Sequence, residues 1–174
     1  MPMEWLMDFL TNISHDPVLY SIVLFIYTVA ATVILPIPVE AGLFLSPTTP
    51  LALKALMLGL GKAAGASLVF MLGGKLESPL DRITARWRIV RAFTNLMHRF
   101  VAKTRYFGLY LILSIPLMVD TVPIYIFAVF NQKGTMNLRY FALTNFLAGI
   151  TRAAIVYWVL FQFGIQLTEP LPTP

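Results

Sequence analysis

Cysteine is absent from the 174-residue chain. That removes disulfides, thiolate metal ligands and a thiol nucleophile, and leaves the compartment open. Histidine occurs only at His15 and His98, far apart, so no imidazole cluster is expected to hold a metal. Charge is scarce as well. Asp, Glu, Lys and Arg make up 12% of residues, against roughly 25% in an ordinary soluble domain. No two acids share a helical turn within an apolar stretch, and no nucleophile elbow occurs. The metal-assisted and nucleophilic routes to lipid chemistry therefore lack their residues, and neither an enzyme nor a cofactor is expected. The first 16 residues hold Glu4, Asp8 and Asp16 but no Lys or Arg, so the basic start of a cleavable signal peptide is missing too.

What remains is apolar: 58% of residues are hydrophobic and the mean hydropathy is +0.76. Tyrosine aside, Glu40 is the sole ionisable residue from Pro17 to Leu53, Asp120 from Tyr106 to Phe130, and Arg152 from Tyr140 to Leu167. Each stretch exceeds the roughly 20 helical residues that cross a bilayer core. The expectation is an all-α, multi-pass protein of the cell membrane. Eight of the thirteen Lys and Arg residues fall between Lys75 and Arg105. Basic residues so close to apolar spans mark the cytoplasmic side. They point to anionic lipid headgroups as partners, and the net charge of +5 is not read as a nucleic-acid footprint. A homo-oligomer is compatible with this sequence and not indicated by it.

Residues 1–15 read as an interfacial helix, with Trp5, Leu6, Phe9 and Leu10 on one face. The pattern "NIS" at Asn12 matches a glycosylation acceptor, a match that most often means nothing. Asp16 before Pro17 is a helix start, an N-cap followed by a first-turn proline. The apolar helix that follows must stop or kink at Pro36 and Pro38, because proline lacks an amide hydrogen and disfavours helix in its predecessor. A second long helix, Leu51 to Leu76, is rich in glycine and alanine, which lets membrane helices approach closely. In 77–105, Ile83, Trp87, Val90, Phe93, Met97 and Phe100 form a stripe. Arg82, Arg86, Arg88 and Arg91 lie beside it, so the segment reads as a basic amphipathic linker on the membrane surface. "NQKGTMN" (131–137) is a polar turn, 138–167 a last span, and 169–174 a tail.

The chain repeats itself. "VILPIP" (33–38) matches "LILSIP" (111–116), an acid follows each, Glu40 and Asp120, and Lys62-Ala63-Ala64 matches Arg152-Ala153-Ala154. Each half (16–76 and 106–168) reads as an apolar helix, a proline break, an intramembrane acid and a long helix with one interior base. The prolines concerned are Pro36, Pro38, Pro116 and Pro123. Paired breaks in corresponding halves point to a transporter site at the bilayer midplane. Broken backbone at that depth must be buried in protein or line a wet cavity.

These motifs resemble the DedA superfamily, also called VTT or SNARE-associated-Golgi-protein-like. The residues concerned are "PIPVE" (36–40), "GLGKAAGASLVFMLGGK" (59–75), "IPLMVDTVPIYIFAVF" (115–130) and "LRYFALTNFLAGITRAAIVYW" (138–158). The resemblance implies inverted repeats with two facing re-entrant hairpins. It implies lipid scramblase or flippase activity on phospholipid or polyprenyl phosphate, linked to the proton-motive force through the intramembrane acids. Bacterial members commonly carry an arginine beside the second proline motif. Here Ser114, Leu117 and Met118 occupy that neighbourhood, with Arg105 upstream and Arg152 downstream.

Glu40, Asp120, Arg152 and Lys62 are the candidate substrate and proton pathway. The acids either bind protons on that path or cap broken helix ends. Arg152 either grips a lipid phosphate or forms an ion pair with one of the acids, and Lys62 either joins them or reaches to the surface. Asn145 and Thr151 either line the cavity or bond between helices. If both breaks are re-entrant, the reading puts both termini on the cytoplasmic side. If the first break is a kinked full crossing, the N-terminal side changes. The competing function is a non-transporting membrane scaffold or assembly factor that works through the basic segment.

Overall fold

A computed structural model of the chain describes residues 16–35, 37–44, 46, 49–86, 88–131 and 136–163, without the side chains of 74–95 and 98. The fold is all-helical, with no strand among the described residues. Helix α1 (Pro17–Val33) starts as its sequence dictates: the Asp16 carboxylate accepts from the Val18 and Leu19 amides at 2.9 and 3.2 Å, with proline in the first turn. It ends before the proline break. A short 3-10 helix (Val39–Phe44) follows and carries Glu40 in its first turn. Helix α2 spans Leu51–Arg86 and α3 spans Arg88–Leu113. A short α4 (Thr121–Val129) and a long α5 (Leu138–Gln162) complete the chain. Two stretches are long and apolar enough to cross a membrane, Leu51–Gly73 of α2 and all of α5.

One element boundary differs from the sequence expectation. Helix α2 does not end at Leu76 but runs on to Arg86: Leu, Glu, Ala and Arg supply helix propensity there, against Pro79, which removes one helical amide donor. Helical geometry is interrupted at Arg105, at φ 44° and ψ −135°, at the end of the linker read from the sequence, and this separates the polar start of α3 from its apolar end. Of the four prolines assigned to the breaks, Pro38 and Pro116 lie in them. Pro123 is buried in the first turn of α4, where a missing amide hydrogen costs nothing. Pro36, the N-terminal helix, the Asn12 pattern and the tail lie outside the described residues, as do the Arg82, Arg86, Arg88 and Arg91 side chains.

Close contacts fix the helix directions. A Cβ on Gly61 would strike Phe25 and Thr28, and one on Gly65 would strike Val29 and Thr32. Both numbers rise together, so α1 and α2 run parallel. Their first turns also stand side by side, around an apolar groove of about 400 Å³ lined by Val18, Ser21, Ile22, Phe25, Leu53 and Met57. The segment between them therefore brings the chain back to the level at which α1 began. The Tyr20 hydroxyl donates to the Gly42 carbonyl, and Lys54 Nζ donates to Leu43 O at 3.0 Å, holding that return segment.

The second half follows the same plan. The Tyr106 hydroxyl accepts from the Asn137 amide near the start of α5, and Tyr110 bonds Thr151 further along it at 2.8 Å. The end of α3 thus runs parallel to α5. Helix α4 turns back, with Phe127 edge-on to Phe100. The long helices themselves are antiparallel: Gly149 meets Gly59 and Lys62, whereas Phe141 packs on Phe70.

Candidate functional site: a buried ion quartet

The two breaks meet each other through backbone groups. Helix α1 leaves unbonded carbonyls at its C-terminus, as every helix does, and the second half supplies their donors. Thr121 Oγ1 donates to Ala31 O at 3.1 Å and the Tyr125 hydroxyl donates to Val33 O at 3.1 Å. In return Glu40 Oε1 accepts from the Leu117 amide at 3.0 Å. Leu117 follows Pro116 with a positive φ of 61°, a conformation costly for a residue with a side chain. That strain aims its N–H at the glutamate.

Glu40, Lys62, Asp120 and Arg152, the four residues singled out in the sequence, come together in one cluster, each at most 1% exposed. Arg152 Nε lies 3.1 Å from Glu40 Oε1, and its Nη1 lies 3.0 Å from Asp120 Oδ1. Lys62 Nζ lies 3.1 Å from Asp120 Oδ2. Each base thus pairs with the acid of the other half, and Arg152 bridges both acids. The bases also hold backbone of the second break: Arg152 Nη1 donates to Met118 O at 3.1 Å and Lys62 Nζ to Leu113 O at 3.4 Å. Two acids and two bases make the formal charge of the cluster zero.

The residues left open by the sequence make the following contacts. Lys62 does not reach the surface. It lies eleven residues from either end of the apolar stretch Leu51–Gly73, so either end is about 16 Å away along the helix, while Asp120 is in contact. Asp120 occupies the N-cap position of α4 but makes no capping hydrogen bond there, and Glu40 bonds the other break instead of its own helix. Arg152 forms the ion pairs. Thr151 bonds between helices through Tyr110. Asn145 is buried and donates to Phe141 O of its own helix at 2.9 Å.

The cluster is not saturated. Among the described residues, the buried side-chain atoms without a hydrogen-bond partner are Glu40 Oε2, both Asp120 oxygens, Asn145 Oδ1, and Arg152 Nε and Nη2. The Asp120 oxygens and Arg152 Nε are nonetheless within 3.1 Å of an opposite charge, so their contacts are electrostatic rather than aligned hydrogen bonds. Glu40 Oε2 and Arg152 Nη2 have no hydrogen-bond partner among the described residues. Such orphans are rare in buried networks and call for a ligand or water. The charged layer also divides the apolar interior. Lys62 falls between Leu58 of one buried cluster and Ala66 of another, and Arg152 falls between Ala148 and Ala153 of the same two clusters.

Sequence reasoning missed Lys54 and the Leu117 amide. Lys54 is fully buried, with Nζ 5.7 Å above the Tyr20 ring. Its place at the start of an apolar helix resembled an ordinary interfacial lysine. An amide donor has no residue-type signal at all, though the proline before Leu117 marked the turn. No cluster of three or more His, Cys, Asp or Glu suited to a metal occurs among the described residues. Comparison with protein-family models, curated proteins and solved structures returns no match.

Proposed function

We propose that this chain is a multi-pass membrane protein that translocates phosphate-bearing lipid, with the ion quartet at the bilayer midplane as its working site. One observation carries the reading: both chain breaks and the charges of Glu40, Lys62, Asp120 and Arg152 converge on a single buried, incompletely bonded cluster. Ionisable groups at such depth are expensive, and they are retained where a polar pathway uses them.

In this reading the two halves are inverted repeats and α1 and the end of α3 are the descending arms of re-entrant hairpins. Three features support it. Each descending arm is parallel to the long helix of its own half, while α2 and α5 are antiparallel. Exposed Tyr140 and Trp158 on α5 are 18 residues apart, or about 27 Å of helix, close to the hydrocarbon thickness that interfacial aromatics flank. The motifs "PIPVE" and "IPLMVD" suit the DedA-like architecture they resemble. With the basic segment cytoplasmic, residues 16 and 163 fall on the opposite face. That placement replaces the sequence expectation of cytoplasmic termini, because α1 itself forms the hairpin instead of crossing before it.

Translocation then needs the two breaks to separate along the Glu40–Leu117 contact, so that a headgroup reaches Arg152. The test is reconstitution in liposomes with a fluorescent phospholipid and a membrane-impermeant quencher. Wild type is expected to expose inner-leaflet lipid. Replacing Arg152 with Met, in protein shown to be folded, is expected to abolish the exchange. Exchange at the wild-type rate without Arg152 would overturn the reading.

A further inference from the structure

We propose that the two acids of the quartet divide the work: Glu40 is the group that takes up a proton, at Oε2, while Asp120 remains ionised as the fixed counter-ion. Uptake of that proton admits one negative phosphate charge at Arg152 Nη2. The inference rests on the reading of the quartet as a lipid headgroup site.

The asymmetry lies in the contacts. Asp120 meets a cation on each oxygen, Lys62 on Oδ2 and Arg152 on Oδ1. A proton on either oxygen would face an ammonium or a guanidinium. Glu40 places both of its contacts, Arg152 Nε and the Leu117 amide, on Oε1. Its Oε2 is buried and has no hydrogen-bond partner among the described residues. A proton on Oε2 thus displaces no hydrogen bond. The groups facing Glu40 are Tyr27 from α1, Lys62 from α2, Asp120 at the start of α4 and Arg152 from α5. The Tyr27 hydroxyl is itself committed to Pro38 O at 3.1 Å.

Charge balance supplies the stoichiometry. The resting quartet is formally neutral, and an uncompensated charge at this depth is strongly disfavoured. An anion entering alone would leave the cluster at −1, and a proton entering alone would leave it at +1. Both together restore neutrality. The proton sits on Glu40 Oε2, the ion pair on Oε1 relaxes to a hydrogen bond, and Arg152 turns its unpartnered Nη2 to a phosphate oxygen. The ligand class is a phosphate monoanion, as in a phosphodiester headgroup.

The experiment uses the full chain in nanodiscs. Infrared difference spectra across a pH titration report the carboxyl stretch of a buried protonated acid. Carboxyl-labelled ¹³C-glutamate is expected to shift that band and ¹³C-aspartate to leave it in place. Glu40→Gln is expected to remove it. A band that moves with the aspartate label would overturn the proposal, as would no buried-acid band at any pH. In weakly buffered solution, a short-chain phosphatidylglycerol is expected to draw about one proton per molecule bound, and binding without proton uptake would refute the coupling. Inorganic phosphate is run in parallel. Equal uptake with both ligands assigns the site to phosphate as such, and uptake with the lipid alone assigns it to the headgroup in its bilayer setting. If the band and the proton uptake hold while liposomes show no lipid exchange, the translocation reading fails and the division of labour stands. Lipid exchange that keeps its wild-type pH dependence in Glu40→Gln sinks the division of labour alone.

Discussion

Removing Arg152 leaves the acids of both halves short of a cation, and the cost can be estimated from the geometry. Among the described residues, Arg152→Met deletes the one cationic contact of Glu40 and one of the two cationic contacts of Asp120, in a cluster at most 1% exposed. Breaking a buried pair from one side costs about 3–5 kcal/mol, chiefly because the remaining charge is stranded. A chain of this length loses about 2–4 °C of Tm per kcal/mol, so a drop of about 6–20 °C is expected. The double variant Glu40→Gln/Arg152→Met is the informative one. It removes one charge of each sign and leaves Lys62 and Asp120 paired at 3.1 Å, and glutamine keeps an acceptor for the Leu117 amide. The double variant should therefore be more stable than Arg152→Met alone, with a coupling in the upper part of the 0.5–3 kcal/mol range seen for residues in contact. Thermal unfolding of the four proteins in one detergent measures this, with exposed Arg139→Met as a control expected within about 0.5 kcal/mol. Single costs that simply add, or a loss below about 1 kcal/mol for Arg152→Met, would refute a mutually compensating quartet.

Other outcomes follow from the same geometry. Leu117→Gly is expected to raise stability by up to about 1 kcal/mol in thermal unfolding, since it relieves a left-handed φ at a side chain that is 72% exposed; a clear loss would show that the φ is not strained. Gly149→Ala places a Cβ 2.9 Å from the Gly59 Cα, and the overpacking should cost about 1–3 kcal/mol and slow lipid exchange. Neutralising Arg82, Arg86, Arg88 and Arg91 together should leave exchange by the purified protein unchanged. Loss of cellular function with exchange intact would favour the scaffold reading.

The all-helical class was legible in the apolar runs and proline stops, and the Asp16–Pro17 start in its own two residues. The quartet was legible because charge inside an apolar run is costly enough to be conspicuous. The matching order of break, acid and base placed the residues in corresponding positions. Their cross-pairing was not legible, since which base meets which acid depends on α2 and α5 packing antiparallel at Gly59 and Gly149. The run of α2 past Leu76 was hidden by the change in polarity at Glu77, which alters only the face a helix presents, and it continues in spite of Pro79, which removes one amide donor from its backbone. The division between Glu40 and Asp120 was hidden for a related reason. Both are single acids after a proline, and only the three-dimensional contacts distinguish an oxygen flanked by a cation from one left without a partner.

The central claim is that both broken segments turn back at mid-depth, so that the quartet sits between two opposed hairpins. Its most direct test is sidedness. The cysteine-free sequence allows single-cysteine variants without a prior background change. Cysteines at Asp16, Pro50 and Phe163 are predicted to react with an impermeant thiol reagent from one face of the membrane, and cysteines at Lys103 and Arg139 from the other. Labelling of positions 16 and 50 from opposite faces would mean that α1 crosses the bilayer completely, and would contradict the account.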